Sequence, residues 1–311
     1  MEFPSLAESP LNITDEELTS LFNPFVLKSF SADDPEWRTE IDRRKKKLLR
    51  KYLKQRLFGW LPSRQRNEAA IIAEYSKAWQ ESQYAAYTLS LPPTRISPWV
   101  WRDQRMFASD VGATRFRQLM LIRYIELAKP RQVLEVGCGN GINLLLLACR
   151  FPEIEFTGVE LTRQGHIAAE KFQQLAELPA EMVQYAPLPL KDITAFRNIR
   201  FIQGTAAELP LEDNSFDMVQ TILALEQMER IRADALSEIA RVCRGSTLMI
   251  EPFHDVNASG WPRKNIVQRN YFQGRIADLS KHGLQPVLAT NDFPQEAFLK
   301  VCMVQSKKDS V

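Results

Sequence analysis

The sequence is poor in cysteine and histidine: of 311 residues, four are cysteine and three are histidine. Cys138, Cys149, Cys243 and Cys302 show neither Cys-x-x-Cys spacing nor the Cys/His spacing of a zinc site, and each lies in an apolar or glycine-rich context. We therefore expect reduced, unpaired thiols in a cytosolic protein, and neither a disulfide framework nor a metal centre.

Long apolar runs and a strong net charge are also missing. No apolar stretch approaches the roughly 18 residues that a membrane span requires, and the early Glu2 with no apolar signal core argues against a secretory leader. A formal net charge of +2 gives no global case for nucleic acid, while 45% hydrophobic content can fill a substantial core. These features predict a globular, cytoplasmic protein and disfavour a nucleic-acid partner.

The most informative stretch is a predicted strand, a glycine turn and a helix. The apolar run Gln132 to Val136 has the pattern of a buried parallel strand, and the run Leu144 to Ala148 predicts a helix. Glycine accepts positive φ and lets a ligand approach the backbone, so the turn between them can form the floor of a site near a helix N-terminus. The turn glycines, and the carboxylate at the end of the strand, are Gly137, Gly139, Gly141 and Glu135.

The spacing of these glycines selects among ligands. The sixth position of a dinucleotide fingerprint, Gly-x-Gly-x-x-Gly, is Ile142 here, and no Lys-Ser/Thr pair follows, which disfavours dinucleotides and a P-loop. The remaining Glu-x-Gly-x-Gly-x-Gly pattern resembles the class I S-adenosylmethionine-dependent methyltransferases, specifically the ubiquinone/menaquinone-biosynthesis-like branch (methyltransferase type 11/25). The resemblance covers roughly Gln132 to Gln305 and implies S-adenosyl-L-methionine as the cofactor.

An acidic residue follows the glycine turn at the end of the next predicted strand, Ile154 to Glu160. Glu160 lies 23 residues after Gly137, and a carboxylate at such a strand end can accept both ribose hydroxyl groups of a nucleoside. We therefore predict Glu160 as the ribose ligand.

A second part of the resemblance lies between Phe201 and Val219, where the pattern matches that branch except at one position. Thr205 stands where the family usually has an aspartate that receives the adenine amino group. A threonine hydroxyl can accept the same hydrogen bond more weakly. Together with the glycine turn, the resemblance implies the cofactor-binding set Glu135, Gly137, Cys138, Gly139, Gly141, Asn143, Glu160, Leu161, Thr205, Ala206 and Thr221.

Methyl transfer requires few catalytic side chains, because it depends mainly on in-line positioning of the nucleophile. A base is needed only for hydroxyl-like nucleophiles. His254 follows a predicted strand end at the carboxyl edge, which makes it the first candidate for a base, and Glu226 is its rival. Many relatives have histidine at the position of Gln227, so a histidine base there is not expected.

The fold class implied is α/β: a Rossmann-like, seven-stranded mixed sheet with helices on both faces and an antiparallel last strand. Prolines between Leu91 and Pro98 predict an extended linker, so we place the methyltransferase domain at residues 96–311 and a helical extension at residues 1–95. Further elements that the sequence predicts are helices at Asp15 to Phe22, Trp37 to Leu61, Asn67 to Gln83, Thr114 to Ala128 and Asn270 to His282, and a strand at Phe298 to Gln305.

Three segments suggest contacts with an acceptor or a partner. The segment Glu177 to Asn198 is longer than most loops of this fold and is a candidate lid or partner surface. The aromatic segment from Trp99 to Phe107 either covers the active site or seals the join to the extension. The helix at residues 40–61 carries an apolar stripe and many basic side chains, which suits an anionic membrane surface as well as a solvated face.

The sequence thus favours a methyltransferase with a small-molecule, lipid or sugar acceptor, located in the cytoplasm, with a peripheral membrane location left open. Two alternatives stay open: a methyltransferase acting on protein or RNA, for which the basic helix is the pointer, and a non-catalytic adaptor that keeps the fold.

Overall fold

The computed structural model describes residues 3–61, 67–81 and 96–309, which contain nine α-helices and eleven β-strands. The helices are α1 (Asp15–Phe22), α2 (Pro35–Phe58), α3 (Glu68–Glu81), α4 (Asp110–Ala128), α5 (Ile142–Arg150), α6 (Arg163–Gln173), α7 (Ala180–Gln184), α8 (Arg232–Val242) and α9 (Gly260–Arg269). The strands are β1 (Val26–Phe30), β2 (Ile96–Trp101), β3 (Gln104–Ser109), β4 (Gln132–Val136), β5 (Glu155–Glu160), β6 (Arg200–Gln203), β7 (Phe216–Ile222), β8 (Cys243–Glu251), β9 (Leu284–Thr290), β10 (Gln295–Glu296) and β11 (Cys302–Lys308).

The larger sheet has seven strands in the order β6-β5-β4-β7-β8-β11-β9. The pairs from β6 to β8 are parallel, and β11 is antiparallel to both β8 and β9. Successive side chains of β8 alternate between two apolar layers: Leu248 packs with α5 on one face, and Met249 packs with α8 on the other. The predicted mixed sheet, covered on both faces, is therefore confirmed.

The glycine turn joins β4 to α5 as the sequence predicted. Gly137, Gly139 and Gly141 all have positive φ, at 76°, 57° and 77°, a conformation that side chains with a Cβ rarely adopt. Gly141 is the N-cap of α5, and the ring of Phe201 lies where its Cβ would be. The turn is thus fixed both by its backbone conformation and by close packing.

The N-terminal part contains a strand as well as helices, which differs from the purely helical extension expected. β1 pairs with β3, and β3 pairs with β2, in a second sheet of order β1-β3-β2-β10. The aromatic segment predicted as a cover or a seal forms the β2–β3 hairpin, in which Trp99 contacts Phe22 at a ring-centroid distance of 5.3 Å. Residues 3–30 therefore share a hydrophobic core with the main sheet. The division at residue 95 stays a prediction.

Two predicted elements near the C-terminus have different bounds. The predicted α-helix from Asn270 to His282 does not form. Helix α9 ends at Arg269, because Asn270 adopts a left-handed conformation with φ of 53°. A 3-10 helix follows at Ile276–His282. The last strand begins at Cys302, four residues later than Phe298.

The segment from Glu177 to Asn198 is not a lid on the glycine turn. Its backbone N–H groups at Lys191 and Asp192 donate to the carbonyl of Cys149, at the C-terminal end of α5. Phe196 is fully buried there. The glycine turn lies at the opposite end of α5, so this segment packs on the core away from that turn.

The four cysteines are buried free thiols. Among the described helices none is long and apolar enough to cross a bilayer. The residues that the structure describes contain no group of three or more His, Cys, Asp or Glu placed to hold a metal ion.

Candidate active site

The carboxylate of Glu135 lies beneath the glycine turn and is buried. It accepts hydrogen bonds from Asn143 Nδ2 (3.0 Å) and Gln220 Nε2 (2.8 Å). Burial raises its pKa to about 7, although the two amide donors act in the opposite direction. Glu135 and Asn143 therefore form a hydrogen-bonded support at the point where β4 enters the turn.

The carboxylate of Glu160 closes the other side of the turn. One oxygen accepts the backbone N–H of Gly139 (3.1 Å), and the other accepts both the backbone N–H (2.9 Å) and the hydroxyl (2.6 Å) of Thr162. These contacts fix the carboxylate at the carboxyl end of β5, where it lines a cavity. Oε2, which accepts only the Gly139 N–H, keeps a second lone pair, so the group can still accept a hydrogen bond from a ligand.

This cavity, here called the Glu160 cavity, has a volume of about 250 Å³. It combines the glycine turn, the end of β5, the turns after β6 and β7, and one face of α3. The described residues lining it are Asn67, Glu68, Ile71, Tyr75, Trp79, Gly137, Gly139, Glu160, Leu161, Thr162, Thr205, Ala206, Leu223, Ala224, Gln227, Met228, Arg230 and Ile231.

Helix α3 supplies the wall of the cavity that the sequence did not predict. Glu68, Ile71, Tyr75 and Trp79 are spaced three, four and four residues apart, so they project from one face of the helix toward the turn. The sequence predicts an apolar stripe at Ile71, Ile72, Tyr75 and Trp79, but Ile72 is exposed, and nothing in the sequence indicates which surface the stripe covers.

A second cavity, here called the Glu226 cavity, has a volume of about 340 Å³ and meets the first at the glycine turn. Tyr75, Trp79, Gly137, Gly139 and Leu223 line both cavities. The other described lining residues are Trp99, Asp110, Thr114, Arg117, Glu135, Cys138, Asn140, Ile142, Asn143, Ile222, Glu226, Asn265, Arg269, Tyr271, Gln295, Glu296, Leu299 and Val301. A ligand along the glycine turn would therefore reach from one cavity into the other.

The carboxyl of Glu226 is placed in the second cavity by another acid. Glu251, at the end of β8, accepts the backbone N–H groups of Ala224 (2.9 Å), Leu225 (3.1 Å) and Glu226 (3.3 Å) and so holds the short turn after β7. Burial raises the pKa of Glu251 to about 8 and that of Glu226 to about 7. Gln227 Nε2 donates to Glu226 Oε1 at 2.7 Å.

Helix α4 contributes a polar face to the same cavity. Asp110, Thr114 and Arg117 are four and three residues apart and all line it. Within the described part of the chain, the Nε of Arg117 is buried and has no hydrogen-bond acceptor. The charge of Arg117 is felt by four acids, Asp110, Glu226, Glu296 and Glu251.

Comparison with known proteins identifies the central part of the chain. Residues 134–250 match the family described as "Methyltransferase domain". The chain is 29% identical over 159 residues to the uncharacterized methyltransferase YcgJ of Bacillus subtilis, covering 50% of this chain and 51% of that protein. It is 36% identical over 80 residues to the ubiquinone/menaquinone biosynthesis C-methyltransferase UbiE of Legionella pneumophila, covering 25% and 32%. The chain carries a methyltransferase domain.

The match is of the kind that the sequence predicted: a class I, S-adenosylmethionine-dependent methyltransferase domain of the ubiquinone/menaquinone-biosynthesis-like branch. Among solved structures, the cyclase SpnF aligns with a TM-score of 0.53 and 16% identity over 79% of this chain and 97% of its own, which shows the fold alone. The chain spans about half the length of YcgJ and about a third of UbiE.

The methyltransferase domain brings most of the predicted cofactor residues together. Gly137, Gly139, Glu160, Leu161, Thr205 and Ala206 line the Glu160 cavity, and Glu135, Cys138 and Asn143 line the Glu226 cavity. Gly141 lines neither cavity; it shapes the turn, and its lack of a Cβ allows the ring of Phe201 to pack closely against it. Burial raises the pKa of the Cys138 thiol far above its usual range, so this thiol stays neutral.

Two further predicted site residues line neither of these two cavities. Thr221 is one of them, and it is fully buried within β7. His254 also lines neither of these two cavities, and its backbone N–H donates to the carbonyl of Gly274. Of the two predicted base candidates, only Glu226 reaches a cavity.

Proposed function

We propose that this chain is an S-adenosylmethionine-dependent methyltransferase that methylates a small molecule bound in the Glu226 cavity. The observation that carries the proposal is the junction of the two cavities at the glycine turn. One side offers the ribose acceptor Glu160, and the other offers a carboxyl, Glu226, whose pKa is about 7.

The residues fit the cofactor. Gly137 and Gly139 let the turn pack closely on its neighbours, since a Cβ at Gly137 would lie 2.5 Å from the Cβ of Ala224 and one at Gly139 would lie 2.7 Å from Cζ2 of Trp79. Glu160 would accept a ribose hydroxyl. When bound, S-adenosylmethionine supplies an activated methyl group. The protein contributes the orientation of both ligands and the exclusion of water.

Glu226 is the residue that would move a proton. A carboxyl with a pKa of about 7 is half ionised near neutral pH, which suits a general base for a hydroxyl or enol proton. Its turn is held by Glu251 through three backbone N–H groups, and Gln227 orients its carboxyl. Glu226 therefore replaces His254 as the proposed catalytic residue.

Arg117 indicates the chemistry of the acceptor. A guanidinium whose Nε has no protein acceptor, beside an acid that can take a proton, would stabilise an oxygen that becomes negative as that proton leaves. Trp99, Tyr75 and Leu299 give the cavity apolar walls. We therefore propose an acceptor with a phenolic or enolic hydroxyl on an apolar body.

The relatives' names are compatible with this class. UbiE is named a ubiquinone/menaquinone biosynthesis C-methyltransferase, and another relative, 30% identical over 114 residues that cover 37% of this chain and 34% of that protein, is named a fatty-acid O-methyltransferase of Mycolicibacterium smegmatis. The second name gives an acceptor with an apolar body, a fatty acid.

A direct test has two stages. Calorimetry should first show binding of S-adenosylmethionine. Formation of S-adenosylhomocysteine should then be followed with separate panels of phenols and enols, carboxylic acids, amines and sugars, and with RNA and protein fractions. We expect turnover with phenols or enols. Turnover confined to RNA or protein would favour the alternative acceptors, and binding without any turnover would favour an adaptor.

We further propose that α2 brings the enzyme to an anionic membrane surface. The core-facing side of α2 carries Trp37 and Leu48, which are buried. The sequence pattern places Leu49, Leu53, Leu57 and Trp60 on one face with Leu48. In the structure Leu49, Leu53 and Leu57 of α2, and Trp60 just after its end, are exposed, Trp60 by 72%. The two apolar groups lie on different sides of the helix.

The basic side chains lie next to the exposed apolar residues. At 100° per residue, Lys46 and Arg50 fall beside Leu53 and Leu57 on the outward side of α2. An exposed apolar stripe bordered by basic residues suits the interface of an anionic bilayer. Helix α2 also packs on α9, whose Arg269 lines the Glu226 cavity. A membrane-bound α2 would thus place that cavity near a lipid-soluble acceptor.

A further inference from the structure

The Glu160 cavity contains a second carboxylate, Glu68 at the start of α3. Of the two acids among its described lining residues, Glu160 is already bound by three donors of the turn and of Thr162. Glu68 receives one hydrogen bond, from the hydroxyl of Thr205 to Oε1 at 2.8 Å. No donor in the described part of the chain reaches its other oxygen, so Glu68 has free acceptor capacity inside the cavity.

The hydroxyl of Thr205 is occupied by protein contacts. It donates its proton to Glu68 and accepts the backbone N–H of Ala207 at 3.2 Å. A hydroxyl has one proton and two lone pairs, so Thr205 keeps only a single weak acceptor site for a ligand. Its main effect is to hold the carboxylate of Glu68, 137 residues away in the sequence, against the turn after β6.

The surroundings of Glu68 suit a flat base. Ile71 on the same helix and Ala206 beside Thr205 are apolar and buried, and Met228 lines the same space. An adenine base presents an exocyclic amino group, which is a donor, and a carboxylate is a stronger acceptor for it than a neutral hydroxyl. With Glu160 assigned to the ribose, Glu68 is the remaining carboxylate that can accept this amino group.

We infer that Glu68 of α3 accepts the 6-amino group of the adenine of S-adenosylmethionine, and that Thr205 is a positioning residue that holds Glu68 in place. The inference rests on the proposed cofactor site and adds to it a cofactor-binding residue from outside the methyltransferase domain. It also revises the role expected for Thr205, which becomes a support for the adenine acceptor.

The test measures binding, independently of turnover. Calorimetry would compare S-adenosylhomocysteine with its 6-oxo analogue, S-inosylhomocysteine, which presents an acceptor in place of the amino donor. The native chain should prefer the amino form. In Glu68→Gln this preference should shrink by about tenfold, the factor expected for a hydrogen bond to a charged group. Glu74→Gln, which removes an exposed carboxylate from the same helix, should leave the preference unchanged.

A rescue variant separates direct recognition from support of the fold. Thr205→Asp alone would place two carboxylates against each other, so one would take a proton and binding should not improve. Thr205→Asp combined with Glu68→Gln should restore the preference for the amino form, and Thr205→Val should lose part of it.

The outcomes distinguish this inference from the proposed function. If the native chain binds no S-adenosylhomocysteine, the proposed cofactor site is wrong. If it binds well and Glu68→Gln keeps the full preference for the amino form, the cofactor site stands and the role of Glu68 is wrong. Equal loss of both analogues in Glu68→Gln, with no rescue by the double variant, would reduce Glu68 to a structural contact.

Discussion

The indole ring of Trp79 on α3 lies against Gly139 in the middle of the glycine turn: a Cβ built on Gly139 would be 2.7 Å from its Cζ2 atom. Gly139 also donates its backbone N–H to Glu160. The glycine turn therefore lies between Glu160 of β5 and a helix from the N-terminal part of the chain. Gly139 takes part in both contacts, through its N–H to Glu160 and through its missing Cβ to Trp79.

Gly139→Ala should weaken cofactor binding more than it weakens the fold. The added Cβ must displace Trp79, and φ of 57° is unfavourable for alanine by about 1–2 kcal/mol. We expect S-adenosylhomocysteine affinity to fall by at least about tenfold, the effect of roughly 1.4 kcal/mol. Calorimetry and urea unfolding measure the two effects separately.

Gly260→Ala is the matched control, because Gly260 also has positive φ (68°) but its Cβ would meet only Pro262, at 3.8 Å. This variant should lose similar stability and keep its affinity. An equal loss of affinity in both variants would show that the turn acts through global stability.

Glu160→Ala should abolish measurable cofactor binding. It removes the proposed ribose acceptor and also leaves the N–H groups of Gly139 and Thr162 without their partner. Each unsatisfied buried group lowers the free energy of unfolding by about 1–3 kcal/mol. Glu155→Ala, at the exposed start of the same strand, is the control. Affinity retained within twofold in Glu160→Ala would place the cofactor elsewhere.

The sequence predicted the part of the site that one local segment encodes. The glycine turn needs no distant residue to define it, and Glu160 follows from its position at the end of the next strand. The antiparallel last strand followed from the family resemblance. These features depend on backbone conformation and element order, which a sequence pattern contains.

The parts that the sequence could not predict depend on contacts between distant segments. Nothing near Glu68 indicates that it meets Thr205, because their contact is made only when α3 docks on the turn after β6. The outward stripe of α2 escaped prediction for a related reason: Leu48 and Leu49 are equally apolar, and only the packing of the helix decides which one is buried. His254 follows a predicted strand end, but it lines neither of the two cavities.

The rate of methyl transfer should rise with pH and level off above about pH 7. Glu226 acts as a base only when ionised, and burial raises its pKa to about 7. A plot of log kcat/KM against pH should therefore have a slope near one below pH 7 in the native chain. Glu226→Gln should lower kcat by about 10²–10⁴-fold and remove this inflection. A variant with the same inflection would show that another group titrates.

Folding stability should decrease as pH rises from about 5 to 8. Burial raises the pKa values of Glu135 and Glu226 to about 7 and that of Glu251 to about 8, from 4.5. In this pH range the folded chain holds protons that the unfolded chain has released, so increasing pH favours unfolding. Urea unfolding at several pH values should show this slope. It should be smaller in Glu226→Gln, and an unchanged slope would contradict the raised pKa of Glu226.

Membrane binding through α2 should require both its basic and its apolar side chains. Anionic vesicles should co-sediment the native chain, because each basic side chain near such a surface contributes on the order of 1 kcal/mol and the exposed stripe can enter the headgroup region. Neutral vesicles should bind far less. A variant with Glu at Lys46, Lys47, Arg50 and Lys51 should lose binding, as should one with Ser at Leu53, Leu57 and Trp60.

The control for the apolar variant replaces three exposed apolar residues elsewhere, Leu127, Val183 and Val287, by serine; they are 44–50% exposed, in the range of Leu53. This control should bind as the native chain does, and all variants should keep the native unfolding midpoint, since the altered side chains on α2 face solvent. Equal, negligible sedimentation of every protein with both kinds of vesicle would leave α2 as a scaffold for α9. Loss of binding in the charge variant alone would mean that α2 attracts anionic surfaces without inserting into them.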